Sequence, residues 1–161
     1  MKQRQKPKSE YGLQLEEKQG LKATYGLREK QLHRYFVRGE NPEGIFGMLE
    51  RRLDNVVFRC GFAVSRKAAR QLVGHGHIQL NGKNVNIPSY PVRIGDVVSV
   101  HPKSVGIAAF KDMSLLLKKY EPPVWIELDK ESCLAKIIRV PIADDPLVFA
   151  SLKPVMEFYS R

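Results

Sequence analysis

Residues 65–85 read Ser65-Arg66-Lys67-Ala68-Ala69-Arg70-Gln71-Leu72-Val73-Gly74-His75-Gly76-His77-Ile78-Gln79-Leu80-Asn81-Gly82-Lys83-Asn84-Val85. The stretch predicts a capped helix with cations on one side, a glycine stop and a hairpin. Ser65 can cap the helix, because its hydroxyl accepts from a first-turn N–H that has no partner inside the helix. Arg66, Lys67 and Arg70 lie within little more than one turn and can share a face. Ala68, Ala69, Leu72 and Val73 supply the opposite, buried side. Gly74 and Gly76 end the helix, and Asn81-Gly82 between apolar flanks is a two-residue hairpin signal in which both positions accept positive φ. A rigid basic helix braced by a hairpin suits a phosphate backbone.

The charge distribution around this stretch agrees. The 161 residues, room for one domain or two small ones, carry 27 Lys and Arg against 17 Asp and Glu, a formal charge of +10. Residues 1–40 hold ten cations and five anions, residues 51–83 hold seven cations and only Asp54, and residues 104–161 hold eight of each. A surface serving solubility alone needs no such asymmetry, so a polyanionic partner for the first half is the better reading. Membrane is the competing polyanion. No apolar run approaches the ~20 residues of a span, and no amphipathic helix with an aromatic face accompanies the basic cluster. Nucleic acid is the expected partner, without a membrane.

Upstream, residues 9–59 read as helix almost throughout. Ser9 caps a first helix holding Leu13, Leu15 and Leu21 that stops near Tyr25-Gly26. Leu27 to Arg38 forms a second, and a third is expected from about Gly44 to Arg59 with Gly61 as its left-handed stop. Downstream the period becomes two: His77–Leu80, Lys83–Val85 and Val97–Val100 are expected strands, with Gly95-Asp96 as a turn. Val105–Tyr120 is expected to be helical, with Phe110, Met113, Leu116 and Leu117 inward. Trp125–Leu128 and Ala135–Val140 make a final strand pair, and Asp144–Tyr159 a last helix, interrupted or bent at Pro154.

This order predicts an α+β fold: a discontinuous all-helical domain (9–50 with 141–161) and an inserted domain (51–140) of short antiparallel strands and helices. Residues 1–8 read as a basic disordered arm; with no apolar core behind them they are not a secretory signal. Cys60 and Cys133 sit in apolar neighbourhoods and form no Cys-x-x-Cys pair, so two reduced thiols are expected, with neither zinc nor an oxidising compartment.

Arg51, Arg52 and Arg59 extend the cationic set one helix upstream, Arg52 and Arg59 sharing a face at seven residues apart. A solvated helix surface is the alternative, but with Asp54 the sole acid from 51 to 83, compensating pairs at i and i+4 are scarce. On an extended segment His75 and His77 point to one side. No third metal ligand of suitable spacing follows, so they fit donors to phosphate or sugar hydroxyl, or simple structural placement. Lys83 projects from the hairpin toward the same ligand. Tyr90, Trp125 and Phe158 could stack on bases, but scattered aromatics are usually core.

Arg52-Leu53-Asp54 matches the triplet at the catalytic aspartate of RNA pseudouridine synthases. Those enzymes carry it in a separate domain after a basic module, whereas here it precedes one. An ion pair or helix surface is therefore the expected role of Asp54, and an RNA-modifying enzyme or its RNA-binding subunit is the alternative reading of the chain.

Taken together, Arg52-Leu-Asp-Asn-Val-Val, Ser65-Arg-Lys-Ala-Ala-Arg-Gln-Leu-Val, His75-Gly-His-Ile, Asn81-Gly-Lys, Val85-Asn-Ile-Pro-Ser-Tyr90 and Gly95-Asp closely resemble the S-four family of small-subunit ribosomal proteins. Ser9-Glu-Tyr-Gly-Leu-Gln-Leu and Glu157-Phe-Tyr-Ser-Arg161 resemble the family's two ends of the helical domain, so the resemblance covers nearly the whole chain. It implies a non-enzymatic, cofactor-free, early-binding assembly protein that recognises a multi-helix junction in the 5′ domain of small-subunit rRNA, with the family's RNA-binding motif at about residues 51–114. It also implies neighbouring ribosomal proteins at the mRNA entrance, a part in decoding accuracy, mRNA as a further ligand in some bacterial members, and a place on a cytoplasmic or organellar ribosome. Carried onto this sequence, the residues facing RNA are Arg51, Arg52, Arg59, Ser65, Arg66, Lys67, Arg70, Gln71, His75, His77 and Lys83. Family members carry a longer, often basic segment before Ser-Glu-Tyr-Gly, sometimes with a four-cysteine zinc knuckle. Only Met1 to Lys8 precede it here, so that segment's contacts and zinc are not assigned to this chain.

Overall fold

A computed structural model describes residues 5–142 and 145–161. Residues 1–4 of the expected arm, and Asp144 at the expected start of the last helix, lie outside the described residues. Among the described residues, seven α-helices and five strands divide into two compact units, one of Met1–Phe46 with Asp145–Arg161, the other Gly47–Asp144. The fold is α+β, with a helical unit drawn from both parts of the chain and a mixed unit between them in sequence.

The helical unit contains α1 (Glu10–Tyr25), α2 (Glu29–Arg38), the first part of α3 (Pro42–Glu50) and α7 (Pro146–Tyr159). Ser9 caps α1, its hydroxyl accepting from Gly12 N at 3.1 Å, and Gly26 at φ 65° ends it. The buried stripe of α1 is Gln14, Lys18, Leu21 and Tyr25, while Leu13 is exposed. The cause lies in the residues after Lys153. Arg161 donates to Gln14 Oε1 from Nε at 2.9 Å and from Nη2 at 2.8 Å, and Gln14 Nε2 donates to Glu157 at 3.2 Å. Lys18 lies 4.7 Å from the Phe158 ring centre and donates to Glu29 at 2.9 Å. Tyr159 donates its hydroxyl proton to the other Glu29 oxygen at 2.7 Å. Polar side chains therefore face inward on α1 because their partners are there. α7 runs unbroken through Pro154, without the interruption the sequence suggests.

The second unit contains α4 (Leu53–Arg59), α5 (Arg66–Gly74), β1 (Ile78–Leu80), β2 (Lys83–Asn84), β3 (Val97–Val100), α6 (Met113–Lys119), β4 (Ile126–Asp129) and β5 (Leu134–Ile137). The strands form one antiparallel sheet in the order β2-β1-β3-β5-β4. Alternation places Ile78, Leu80, Val98, Val100, Ala135 and Ile137 on the buried face, where they join Val56, Val57, Ala69, Val73 and Trp125 in one core.

Two expected elements are corrected. The single helix from Gly44 to Arg59 is two, broken at Arg51-Arg52, with Arg52 at φ −59°, ψ 137°. Nothing local breaks it; a distant loop does. Leu53 N donates to Tyr90 O at 2.9 Å, Asp54 N to Pro88 O at 3.0 Å and Val92 N to Arg51 O at 2.8 Å. Residues 88–92 thus satisfy the first N–H groups of α4, which no intrahelical carbonyl could reach. The expected helix over 105–120 is reduced to α6 after two short 3₁₀ turns. Phe110, Met113 and Leu117 are buried, but Leu116 is 58% exposed.

Candidate nucleic-acid interface

Ser65 holds φ −153°, ψ 163°, and its hydroxyl accepts from Ala68 N at 3.0 Å, fixing the start of α5. The stop is equally defined. Gly76 sits at φ 79°, with Gly76 N donating to Val73 O at 3.1 Å and His77 N to Leu72 O at 3.0 Å, a left-handed helix cap that favours glycine. Ala69, Leu72 and Val73 are buried, so the chain from Arg66 to Arg70 is anchored with its cations outward. Lys67, Gln71 and His75 are exposed, and Ser65, Arg66 and Arg70 half-buried.

Arg66 is held rather than dangling. Its Nε donates to Asn55 Oδ1 at 2.9 Å, and its guanidinium lies 4.7 Å from the Phe58 ring centre. Asn55 in turn donates from Nδ2 to Glu50 O and to Glu50 Oε2, both at 2.8 Å. Arg59 meets the same carboxylate from Nε at 2.9 Å and Nη2 at 3.0 Å. Glu50 is fully buried, so one carboxylate at the end of α3 aligns a cation on α4 and, through Asn55, another on α5. A fork-to-fork arginine–carboxylate pair fixes orientation as well as charge. The half-buried Arg51 stands at the helix break, its Nε without a hydrogen-bond partner among the described residues.

Arg52 does not join this face. It is 2% exposed and donates to Asp54 from Nε at 3.1 Å and Nη2 at 2.9 Å. The expectation that Arg52 and Arg59 share an outer helix face fails because the helix is broken between α3 and α4 and Arg52 turns inward.

The two histidine rings lie close, centres 6.3 Å apart, but in different settings. His75 is the cap residue of α5 at ψ 4°, not part of an extended run, and is exposed. His77 is half-buried, with Nδ1 2.8 Å from Ser104 Oγ. Among the described residues no three His, Cys, Asp or Glu side chains gather where they could hold a metal.

The hairpin follows its sequence signal. Asn81 at φ 52° and Gly82 at φ 77° make the turn. Asn81 also clamps the next turn, accepting from Val97 N and donating to Asp96 Oδ1, both at 2.9 Å. Lys83 stands exposed on the edge strand β2.

Residues 51–98, from the helix break through α5 and the hairpin into β3, match the S4 domain, and residues 1–56 match the ribosomal protein S4/S9 N-terminal domain. The small ribosomal subunit protein uS4 of Caldicellulosiruptor saccharolyticus is 45% identical over 164 residues, covering 99% of this chain and 79% of that protein. Those of Natranaerobius thermophilus and Chloroflexus aurantiacus are 44% and 41% identical, each across 98% of this chain and 78% and 80% of theirs. The chain belongs to the uS4 family.

In this uS4-family chain the triplet Arg52-Leu53-Asp54 is structural. Asp54 is 3% exposed; besides the Arg52 guanidinium, its Oδ1 accepts from Asn55 N at 2.7 Å. A carboxylate so enclosed reaches no nucleobase, which argues against the RNA-modifying alternative. Both cysteines are free, and burial pushes the thiol of Cys60 far up, so it is inert at neutral pH. Trp125 lies in the core of the second unit and Phe158 packs on Tyr11 of α1, whereas Tyr90 is exposed rather than core. Three residues that position the uS4-family cation face escaped the sequence: Glu50, Asn55 and Phe58. Glu50 lies one place outside the acid-poor window of 51–83, and no helical spacing links it to Arg59 nine residues on.

Proposed function

We propose that the chain is a structural, non-enzymatic constituent of the small ribosomal subunit that binds its rRNA directly. The observation that carries this reading is the anchored cation face of α5, aligned through Asn55 by the buried Glu50 carboxylate, in a chain of the uS4 family. Pre-set cations on a rigid helix release counterions from a phosphate backbone without first losing side-chain freedom. A-form RNA is recognised mainly by shape and backbone, the kind of ligand a fixed cation pattern reads.

In this reading Arg51, Arg59, Arg66, Lys67, Arg70, Gln71, His75 and Lys83 face RNA. Ser65 and His77 hold the motif, and Arg52 supports it from inside. The target is a multi-helix junction in the 5′ domain of the rRNA. Residues 1–8 add a basic arm, and the neighbouring proteins are those at the mRNA entrance, where the chain contributes to decoding accuracy on a cytoplasmic ribosome. The described residues include no helix long and apolar enough to cross a membrane.

The test is binding to protein-free small-subunit rRNA. An early-binding protein associates without any other ribosomal protein, and a 5′-domain transcript competes with the intact rRNA. Association only after other proteins are added contradicts the reading.

A further inference from the structure

Beside the cations of α5 runs a groove of about 410 Å³, contained in the second unit. Each residue turns an α-helix by about 100°, so Gln71 lies next to Lys67 around α5, and His75 and Ala68 come next. The groove is lined by those last three and therefore begins where the cation face ends. Ile107 and Met113 form its far wall, and His77 closes it with its ring at 70° to that of His75, centres 6.3 Å apart. Ser104 Oγ holds His77 in place. No carboxylate lines the groove.

We propose that this groove receives one unstacked rRNA nucleobase whose sugar–phosphate backbone lies on Lys67 and Arg70. The inference rests on the rRNA-binding reading above and names a base-specific component of it. A base needs flat apolar or aromatic surfaces for its faces and a few hydrogen-bonding groups for its edges. Ala68, Ile107, Met113 and the exposed His75 imidazole supply the first, and the Gln71 amide with the His75 ring nitrogens the second. The volume is in the range of small-molecule sites. The phosphates attached to such a base meet cations on one lip and no opposing carboxylate inside, which favours a nucleotide over an apolar protein segment.

The experiment uses the full chain and a 5′-domain transcript of small-subunit rRNA, with affinity measured across a salt series. Ala109→Trp fills the groove from its far wall, and Gln71→Ala removes an edge partner on an exposed helix position. Ala109→Trp is expected to weaken binding about tenfold, the scale of losing one stacked base, and Gln71→Ala severalfold. Neither changes the slope of log affinity against log salt, because neither alters charge. If Ala109→Trp melts early, Gln71→Ala alone decides. No binding by the wild type overturns the rRNA reading and the groove with it. Wild-type binding matched by the variants overturns the groove alone. Variants that bind transcript normally but fail to enter reconstituted subunits reveal a protein occupant, which also overturns it.

Discussion

The Arg52 guanidinium and the Asp54 carboxylate meet at 2.9 Å across one intervening residue, with side chains only 2% and 4% exposed. They sit where α3 and α4 part and residues 88–92 hydrogen-bond to the chain. Removing the Asp54 carboxylate takes its ion-pair partner from the buried Arg52, a change that costs about 3–5 kcal/mol. Asp54→Ala is expected to lose that much in urea unfolding while leaving the salt slope of rRNA binding unchanged in the folded fraction. A large change in slope with wild-type stability would move the pair into the RNA face.

Lys67 and Arg66 are neighbours with different duties. Lys67 is exposed, whereas Arg66 holds Asn55 and covers Phe58. Lys67→Ala is expected to lower the salt slope by about one without moving the melting temperature. Arg66→Ala lowers the slope similarly and also destabilises, by about 1–3 kcal/mol, through the lost charged hydrogen bond. Parallel salt titrations and melts separate the two.

Gly61 turns the chain after α4 at φ 82°, and a Cβ there would stand 2.8 Å from Tyr120 Cδ1 and 2.9 Å from Leu117 Cδ2. The left-handed backbone and the contact both resist a side chain, so Gly61→Ala is expected to destabilise by about 1–3 kcal/mol. Tyr120→Phe is milder. It loses the hydroxyl's donation to Arg59 O at 2.7 Å, worth about 1 kcal/mol.

In the helical unit the sensitivity is to acid. Burial acts against the Glu29 charge, but hydrogen bonds from Lys18, Tyr159 and Lys22 outweigh it and hold the carboxyl below its ordinary range. A lowered native value means stability that is present above the unfolded value, about 4.3, and lost as pH falls through the native one. Melts of Glu29→Gln are expected to lie below wild type at pH 7 and converge with it in acid. A constant gap across that window would contradict the assignment.

Local signals in the sequence carried far because short-range chemistry completes them. Ser9 and Ser65 cap, Gly26, Gly61 and Gly76 stop, and Asn81-Gly82 turns, each within a few residues of its effect. What escaped depends on distant partners. The break at Arg51-Arg52 is made by residues 88–92, so Arg52 and Arg59 could be placed on one helix face only in ignorance of that loop. The inward Gln14 and Lys18 make sense once Glu157, Phe158 and Arg161 are beside them. Of the site, the cation pattern was legible and its alignment by Glu50 was not, because that pairing spans the break.

The proposed function requires one aligned cation face to bind one site on rRNA. Hydroxyl-radical footprinting of the chain on protein-free small-subunit rRNA tests it most directly, with Arg66→Ala/Arg70→Ala in parallel. Protection is expected to be confined to the strands of a single multi-helix junction in the 5′ domain, weakened in the double variant with a salt slope lower by about two. Protection scattered along the rRNA, or a footprint and slope indifferent to the double variant, would contradict it.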